Sequence, residues 1–179
     1  MKPDDTSAMK DLLAHLQRIC SCANMDVVDR AWAPKCGIPG KAGWYFIRTN
    51  APLAVLCRQS LWSKTYVRED GQTASVKNTD IAARASRYQE DLARYWNLSE
   101  VYSGMASNLL SRAREHTFPN PGTGGLALSR YPELAGFEWQ FFFVTMDRFS
   151  KEYSCADMML RLGEQVWRAA NGWPLLCSE

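Results

Sequence analysis

The chain has 179 residues, of which 46% are apolar, 12% aromatic and 22% charged. This composition is that of one globular domain, and it excludes a collagen-like, coiled-coil or disordered chain. The formal net charge of +2 is too small for overall charge to indicate a nucleic-acid partner, so any basic surface must be local. No apolar run reaches the roughly 18 residues of a membrane span, and the first residues are polar, so we expect a cytoplasmic protein that does not enter a membrane.

The first part of the chain predicts a helix and then a strand. Apolar residues recur with helical spacing over about residues 5–20, which indicates an amphipathic helix. The stretch 33–40 is rich in Pro and Gly and excludes continued helix. The apolar run 43–47 predicts a strand.

The middle of the chain predicts short elements. Two short strands are expected at 54–57 and 65–68, and the second ends at the turn signal Asp70-Gly71. Thr79 or Asp80 is a cap for a helix that keeps an apolar face as far as Trp96 and ends at Asn97.

The second half predicts two further strands and two helices. A strand over 101–104 precedes a helix capped by Ser107 that ends near His116. A loop over 118–125 and a short helix over 126–131 come before a near-continuous apolar strand over 137–146, which we expect to be central and buried. This order of elements indicates the α+β class.

The last predicted element is a long helix. Ser154 and Asp157 form a capping box at its start, and Gly172 followed by Pro174 ends it. Glu164 lies on this helix between Leu160 and Trp167 on the helix face opposite the main apolar stripe, so we expect its carboxylate to be half buried.

Three cysteines cluster near the N-terminus. Cys20, Cys22 and Cys36, with His15 upstream, offer the four nitrogen or sulfur ligands that a structural zinc ion takes. The C-x-C spacing departs from the usual C-x2-4-C, so free thiols are the favoured interpretation. A small zinc-bearing interaction protein is therefore the least favoured reading of the chain.

Two short motifs and the helix after the second resemble the GIY-YIG nuclease superfamily. Gly43-Trp44-Tyr45 is similar to GIY, and the preceding 38–42 is similar to the lead-in of bacterial excision-repair members. Tyr102-Ser103-Gly104 is similar to YIG, and Arg112 follows Tyr102 by ten positions, as the superfamily's arginine does. His116 lies one turn further on the same helix face.

The C-terminal helix extends the resemblance. Glu164, followed by Pro174 in a turn, matches the metal-binding glutamate in order and spacing. Cys177 stands where the superfamily usually has Asn. Trp44 and Ser103 replace the usual Ile, and the two tyrosines are 57 positions apart, which implies a large insertion over 49–100.

The resemblance implies a fold and a set of roles. The fold would be a small antiparallel β-sheet flanked by helices, with a core of 37–48 and 101–179, an N-terminal helical extension over 1–36 and the insertion, all in one domain. Glu164 would bind one Mg²⁺ or Mn²⁺ ion, and Arg112 would stabilise charge on the phosphate. Tyr45 would act as general base, Tyr102 would position the attacking water, and His116 would assist proton transfer.

The insertion carries a local excess of cations interleaved with aromatic residues, a mixture that suits phosphate contacts and base stacking. A solvated helix whose aromatic residues pack on the core is an equally good interpretation. The expected DNA contacts are Lys64, Arg68, Arg84 and Arg87, with Arg114 on the helix that carries Arg112. The resemblance therefore implies a metal-dependent endonuclease for double-stranded DNA, with a non-cleaving module that binds nucleic acid or protein as the alternative.

Overall fold

A computed structural model describes residues 14, 18–59, 65–68, 70–75, 80–120, 124–147 and 156–177, with backbone only for 156–160. Its strands are Ser21–Asn24 (β1), Gly43–Thr49 (β2), Thr65–Val67 (β3), Thr73–Ser75 (β4), Trp96–Asn97 (β5), Glu100–Ala106 (β6), Trp139–Thr145 (β7) and Trp173–Pro174 (β8). Its α-helices are Trp32–Lys35 (α1), Leu53–Leu56 (α2), Ile81–Ala85 (α3), Leu109–Thr117 (α4) and Ala156–Asn171 (α5). Short 3-10 helices span Glu90–Tyr95, Leu128–Arg130 and Pro132–Gly136. The protein is α+β, as predicted.

The main sheet is antiparallel and has the strand order β1-β7-β2-β6. The apolar strand β7 lies between β1 and β2, which confirms its expected central position. Strand β1 was not predicted, because its sequence Ser-Cys-Ala-Asn is too short and polar to show a strand pattern. Since β1 pairs with β7, the segment before residue 37 contributes a strand to the sheet as well as a helix.

The two faces of the sheet pack against different helices. Side chains alternate along a strand, so Trp44 and Phe46 of β2 lie on one face, where both rings contact Trp167 of α5. Tyr45 and Ile47 lie on the other face, in the larger core that includes residues of α4. Helices α4 and α5 therefore pack on opposite faces of the sheet.

Two elements predicted for the insertion differ in the structure. Residues 53–56 form α2 rather than a strand, because a short apolar run after Pro52 also suits a helical turn, and the Pro52 carbonyl accepts from the Leu56 N–H. Asp80 caps α3 as predicted, but the helix ends at Ala85 instead of Asn97. Tertiary contacts override helix propensity here.

The ends of three predicted helices can be compared with the structure. Ala14, Arg18 and Ile19 are helical, and the rest of the helix expected over 5–20 lies outside the described residues. The cap of α4 is Asn108, whose Oδ1 accepts from the Ser111 N–H at 2.9 Å, and not Ser107. The capping box of Ser154 and Asp157 lies outside what the structure describes.

The chain after α5 runs beside the open edge of β6. Gly172, with φ of +88°, ends the helix as predicted. Strand β8 then pairs in parallel with β5, and the Leu176 N–H donates to the Val101 carbonyl at 2.8 Å. This C-terminal segment, 173–177, covers the edge of β6. Among the described residues, no helix has the length and hydropathy that crossing a bilayer requires.

Candidate functional site

Tyr45 and Tyr102 lie side by side on neighbouring strands. Ile47 pairs with Tyr102 and Tyr45 pairs with Gly104, so both phenols lie on the α4 face of the sheet. Their rings are stacked, with centroids 6.2 Å apart and planes 6° apart. A Cβ atom at Gly104 would lie 2.6 Å from the Tyr45 hydroxyl, so the glycine of this motif makes room for the tyrosine of the other.

Arg112 connects the two tyrosines. Helix α4 places it above the sheet, and its Nε donates to the Tyr45 hydroxyl oxygen at 2.9 Å. Its Nη2 lies 3.4 Å from the Tyr102 hydroxyl, and its Nη1 bonds to Glu115 at 2.9 Å. All three nitrogens of this half-buried guanidinium therefore have oxygen partners within the protein.

His116 completes the cluster from the next turn of α4. It is fully buried, and its Nε2 lies 2.9 Å from the Tyr45 oxygen. The Leu126 backbone N–H donates to Nδ1 at 3.3 Å, so Nδ1 carries no proton and Nε2–H donates to Tyr45. Burial, together with the positive charge of Arg112, lowers the pKa of His116 well below its usual value, so the imidazole is neutral.

The Tyr45 oxygen thus receives two hydrogen bonds, from Arg112 and from His116. Tyr45 is 1% exposed. Burial raises the pKa of Tyr45 far above its usual value, and the neighbouring Tyr102 adds to this while Arg112 opposes it. The pKa of Tyr102 is also raised by burial, against the charge of Arg112. Both phenols are protonated at neutral pH.

Glu164 lies apart from this cluster. Its carboxylate forms an ion pair with Arg168 at 2.5 Å on the same helix, and both side chains are about 15% exposed. Arg168 Nε donates to the Ser103 Oγ at 2.9 Å, and Ser103 pairs with Phe46, which places this contact on the α5 face. In the described part of the chain, no hydrogen bond or ion pair joins Glu164 to Tyr45, Tyr102 or Arg112.

Cys177 lies at the edge of β6, between the two groups. Its Sγ accepts from the Ser103 N–H at 3.3 Å and contacts Arg168 Nη2 at 3.4 Å. Burial raises the pKa of the thiol. Cys177 therefore fixes the C-terminal segment to the strand that carries Tyr102.

The cations expected to contact DNA have different environments. Arg84 and Arg87 are half buried and donate to the carbonyl oxygens of Leu176 and Cys177, at 2.5 and 2.7 Å. These two residues hold the C-terminal segment. Arg68 pairs with Asp70 at 3.2 Å, and Arg114 is exposed. Lys64 lies outside the described residues.

Sequence reasoning missed several members of these networks. Glu115, Arg168 and Ser103 make the closest polar contacts to the predicted site residues. The spacing of Glu164 and Arg168, four positions apart on one helix, was a signal that would have predicted their ion pair. Ser103 had no signal, because its role depends on the position of α5.

The cysteines near the N-terminus do not form a cluster. Cys22 lies on β1, while Cys36 follows α1 and its Sγ contacts the Asn24 carbonyl at 3.9 Å. Within the described ranges, no three His, Cys, Asp or Glu side chains converge as metal ligands. His15 lies outside those ranges.

Comparisons of the chain with models of protein families, with curated proteins and with solved structures found no match.

Proposed function

We propose that this protein is a divergent GIY-YIG-like endonuclease that hydrolyses DNA phosphodiester bonds with the help of a divalent metal ion. The observation that carries the proposal is the hydrogen-bonded cluster of Tyr45, Tyr102, Arg112 and His116. Two tyrosines on adjacent antiparallel strands and an arginine on the following helix are the groups that the sequence shares with this superfamily. Their convergence on one sheet face supports a common chemical role.

Arg112 is the residue suited to a phosphate. Its guanidinium lies at the mouth of the cluster, 21% exposed, while Tyr45 beneath it is buried. A planar fork of N–H donors stabilises charge that grows on phosphate oxygens in the transition state. To meet a phosphate, Arg112 exchanges its bond to Glu115 for one to the substrate.

Tyr45 is the proposed general base, with Tyr102 positioning the water. The Tyr45 oxygen accepts from Arg112 and from His116 Nε2–H, and both bonds favour the phenolate over the phenol. Burial works in the opposite direction and keeps the proton on Tyr45 in the free protein. Tyr45 therefore has to lose its own proton to solvent first, once substrate binding opens the cluster, and only the resulting phenolate can accept a proton from the attacking water.

Glu164 is the proposed ligand of Mg²⁺ or Mn²⁺. Magnesium is typically held by one or two carboxylates together with water and substrate phosphate. Glu164 supplies one carboxylate, from the helix that covers the sheet face opposite Tyr45. A divalent ion there competes with Arg168 for the carboxylate. When bound, it would polarise a phosphate and neutralise its charge, and the proposal requires the substrate to reach from Arg112 to Glu164 around the edge of β6.

The second candidate is a GIY-YIG-like module that binds nucleic acid or protein without cleaving. The Glu164–Arg168 ion pair favours it, because the carboxylate already has a cationic partner. The burial of Tyr45 away from solvent favours this second candidate as well. The two candidates differ in cleavage and share the capacity to bind.

Cleavage of supercoiled plasmid separates the candidates. We expect the wild-type protein to nick plasmid with Mg²⁺ or Mn²⁺ and to be inactive in EDTA. Glu164→Gln and Tyr45→Phe should each reduce nicking at least about a hundredfold, whereas Glu90→Gln, at an exposed carboxylate, should not. Metal-dependent nicking that survives both substitutions would refute the assigned roles. DNA binding without nicking by the wild type would establish the second candidate.

A further inference from the structure

Segment 125–127 packs against the last turn of α4, next to His116. Leu126 and Ala127 are fully buried. The Leu126 N–H donates to Nδ1 of His116 at 3.3 Å, whereas the Tyr45 hydroxyl lies beside Nε2. The imidazole is therefore held between a backbone donor and the oxygen at the centre of the candidate site.

The close approach of this segment to α4 requires a glycine at position 125. A Cβ atom on Gly125 would overlap the carbonyl oxygen of Glu115, and it would lie 2.5 Å from the carbonyl carbon and 3.1 Å from the His116 backbone nitrogen. These atoms belong to the helix backbone, which does not rotate away as a side chain does. A larger residue at this position therefore moves the segment, and with it the Leu126 N–H, away from His116.

Ala127 has a strained backbone. Its φ of 51° and ψ of 52° are left-handed, and within the described ranges it is the only residue other than glycine with a positive φ. A residue with a Cβ atom avoids this conformation, which persists only where the surrounding structure imposes it. Here the neighbouring Leu126 and Leu128 are fully buried. Their packing holds the segment in one conformation despite the strain, so the Leu126 N–H keeps its direction.

The Leu126 N–H determines where His116 carries its proton. An amide N–H only donates, so Nδ1 has to accept, and a proton on Nδ1 would face the amide proton directly. The neutral ring therefore carries its proton on Nε2, 2.9 Å from the Tyr45 oxygen. Neither ring nitrogen is then open to a proton from Tyr45 or from water, so His116 acts only as a donor.

The surroundings of the Tyr45 oxygen consist of donors. This oxygen accepts from Nε2–H of His116 and from Nε of Arg112, both at 2.9 Å. Among the residues that the structure describes, none accepts the hydroxyl proton of Tyr45. Donors that converge on one buried oxygen stabilise negative charge there, because they are oriented before the charge forms. The phenolate therefore satisfies both donors, whereas the phenol leaves its own proton without a partner in this cluster.

We propose that segment 125–127 holds His116 as a fixed hydrogen-bond donor and that His116 stabilises the Tyr45 phenolate without moving a proton. This role replaces the proton transfer that the resemblance implies for His116. Gly125 and Ala127 are positioning residues, because they act on Tyr45 through His116. The role of His116 rests on the proposed function, in which Tyr45 is the general base, whereas the fixed tautomer does not depend on it.

Nitrogen-15 NMR of the histidine side chain tests the fixed tautomer. The chain has two histidines, so His15→Gln in every sample leaves the signals of His116 alone. At pH 7 we expect only the Nε2–H tautomer, both in this background and after Tyr45→Phe, because the Leu126 amide remains on Nδ1. An Nδ1–H signal or an imidazolium in the background would overturn the proposal, and so would a tautomer that changes with Tyr45→Phe.

Gly125→Ala tests the role of the segment. Its matched control is Gly136→Ala, since no atom lies within 4 Å of the Cβ position at Gly136. We expect Gly125→Ala to give a mixture of both tautomers and Gly136→Ala to give the Nε2–H form alone. A folded Gly125→Ala protein with the Nε2–H form alone would overturn the role of the segment. If Gly125→Ala does not fold, the spectra of the background and of Tyr45→Phe decide.

Plasmid nicking with Mg²⁺ tests the donor role of His116. The side-chain amide of His116→Gln donates a hydrogen bond as Nε2 does, whereas His116→Leu has no donor. We expect His116→Gln to nick at least about tenfold faster than His116→Leu, and equal rates would refute the donor role. Absence of nicking by the wild type would overturn the proposed function, while the NMR spectra would still decide whether the tautomer is fixed.

Discussion

The hydroxyl oxygen of Tyr45 lies 2.9 Å from Nε2 of His116, inside the protein and out of contact with solvent. Because the Leu126 N–H fills the other ring nitrogen, the imidazole donates to the tyrosine. Arg112 donates to the same oxygen. One buried phenol oxygen thus holds two side chains of α4 against the sheet, and this contact is both the centre of the candidate site and a structural link.

Tyr45→Phe should destabilise the protein. The substitution leaves two buried donors, from Arg112 and His116, without their acceptor. We expect a loss of about 1–3 kcal/mol in the free energy of unfolding, measured by urea denaturation. Tyr66→Phe, at a half-buried tyrosine of the hairpin, should change it by less than about 0.5 kcal/mol. Equal effects of the two substitutions would contradict the contact network.

The neutral state of His116 predicts how the stability of the protein depends on pH. Its pKa is lowered on folding, so below pH 6.5 the unfolded chain binds a proton that the folded protein does not. Stability should therefore be flat above about pH 7 and fall by up to about 1.4 kcal/mol per unit as the pH drops below 6.5. Urea midpoints between pH 5 and 8 measure this dependence. His116→Gln should reduce it, and His15→Gln controls for loss of a histidine; an identical pH profile for His116→Gln and the wild type would refute the assignment.

The sequence predicts those parts of the fold that depend on neighbouring residues in the chain, and it does not predict those that depend on contacts between distant segments. Strand β2 and the Asp80 cap are encoded locally, in apolar runs and in a polar residue before a helix, and both predictions are confirmed. Strand β1 is not encoded locally, because it forms by pairing with β7, which is far away in the sequence. The early end of α3 lies where Arg84 and Arg87 contact the C-terminal segment. Tertiary interactions of this kind leave no pattern in the segment that they reshape.

The same distinction applies to the site. Arg112 and His116 share a helix face by spacing alone, so their proximity was predictable. The position of Glu164 was not, since it depends on which sheet face α5 covers, and Trp44 and Phe46 bring α5 to the face opposite Tyr45. Arg84 and Arg87 look like surface cations in the sequence, and only the fold shows that they hold backbone carbonyls.

Gly104→Ala should disturb the cluster directly. The added Cβ would lie 2.6 Å from the Tyr45 hydroxyl and 2.9 Å from Cζ, so the ring has to move. We expect a destabilisation of about 1–3 kcal/mol, measured by thermal or urea unfolding. Gly136→Ala is the control, because no atom lies within 4 Å of its Cβ position and its backbone is not left-handed. A Gly104 variant as stable as the Gly136 variant would show that Tyr45 does not occupy this position.

Arg168 should stabilise the C-terminal segment. It pairs with Glu164, bonds to Ser103 and Cys177, and lies 4.6 Å from the ring centre of Trp173. Arg168→Ala removes the ion pair of Glu164 and the hydrogen bond to the Ser103 hydroxyl, so we expect a loss of about 1–3 kcal/mol. Arg161→Ala, at an exposed position of the same helix, should change stability by less than about 0.5 kcal/mol. Hydrogen exchange at the Leu176 amide should increase in the Arg168 variant alone, and unchanged exchange would argue against this role.

Arg84 and Arg87 should contribute to the stability of the protein and not to its affinity for DNA. Each donates to a carbonyl of the C-terminal segment, so Arg84→Ala/Arg87→Ala is expected to lower the unfolding midpoint while the salt slope of DNA binding stays that of the wild type. Urea denaturation and anisotropy on the same samples test both halves. A reduced salt slope with unchanged stability would show that Arg84 and Arg87 contact DNA and do not stabilise the fold.

The most direct test of the account is the rate of metal-dependent plasmid nicking by Arg112→Lys, compared with Arg114→Lys on the same helix. Lysine keeps the charge but cannot bond to both tyrosines and a phosphate in one plane. We predict a reduction of about a hundredfold for Arg112→Lys and less than about threefold for Arg114→Lys, whose phosphate contact survives as a point charge. Equal rates for the two variants, or a wild type that does not nick DNA with Mg²⁺ or Mn²⁺, would contradict the claim that the Tyr45–Arg112–Tyr102 cluster is a nuclease site.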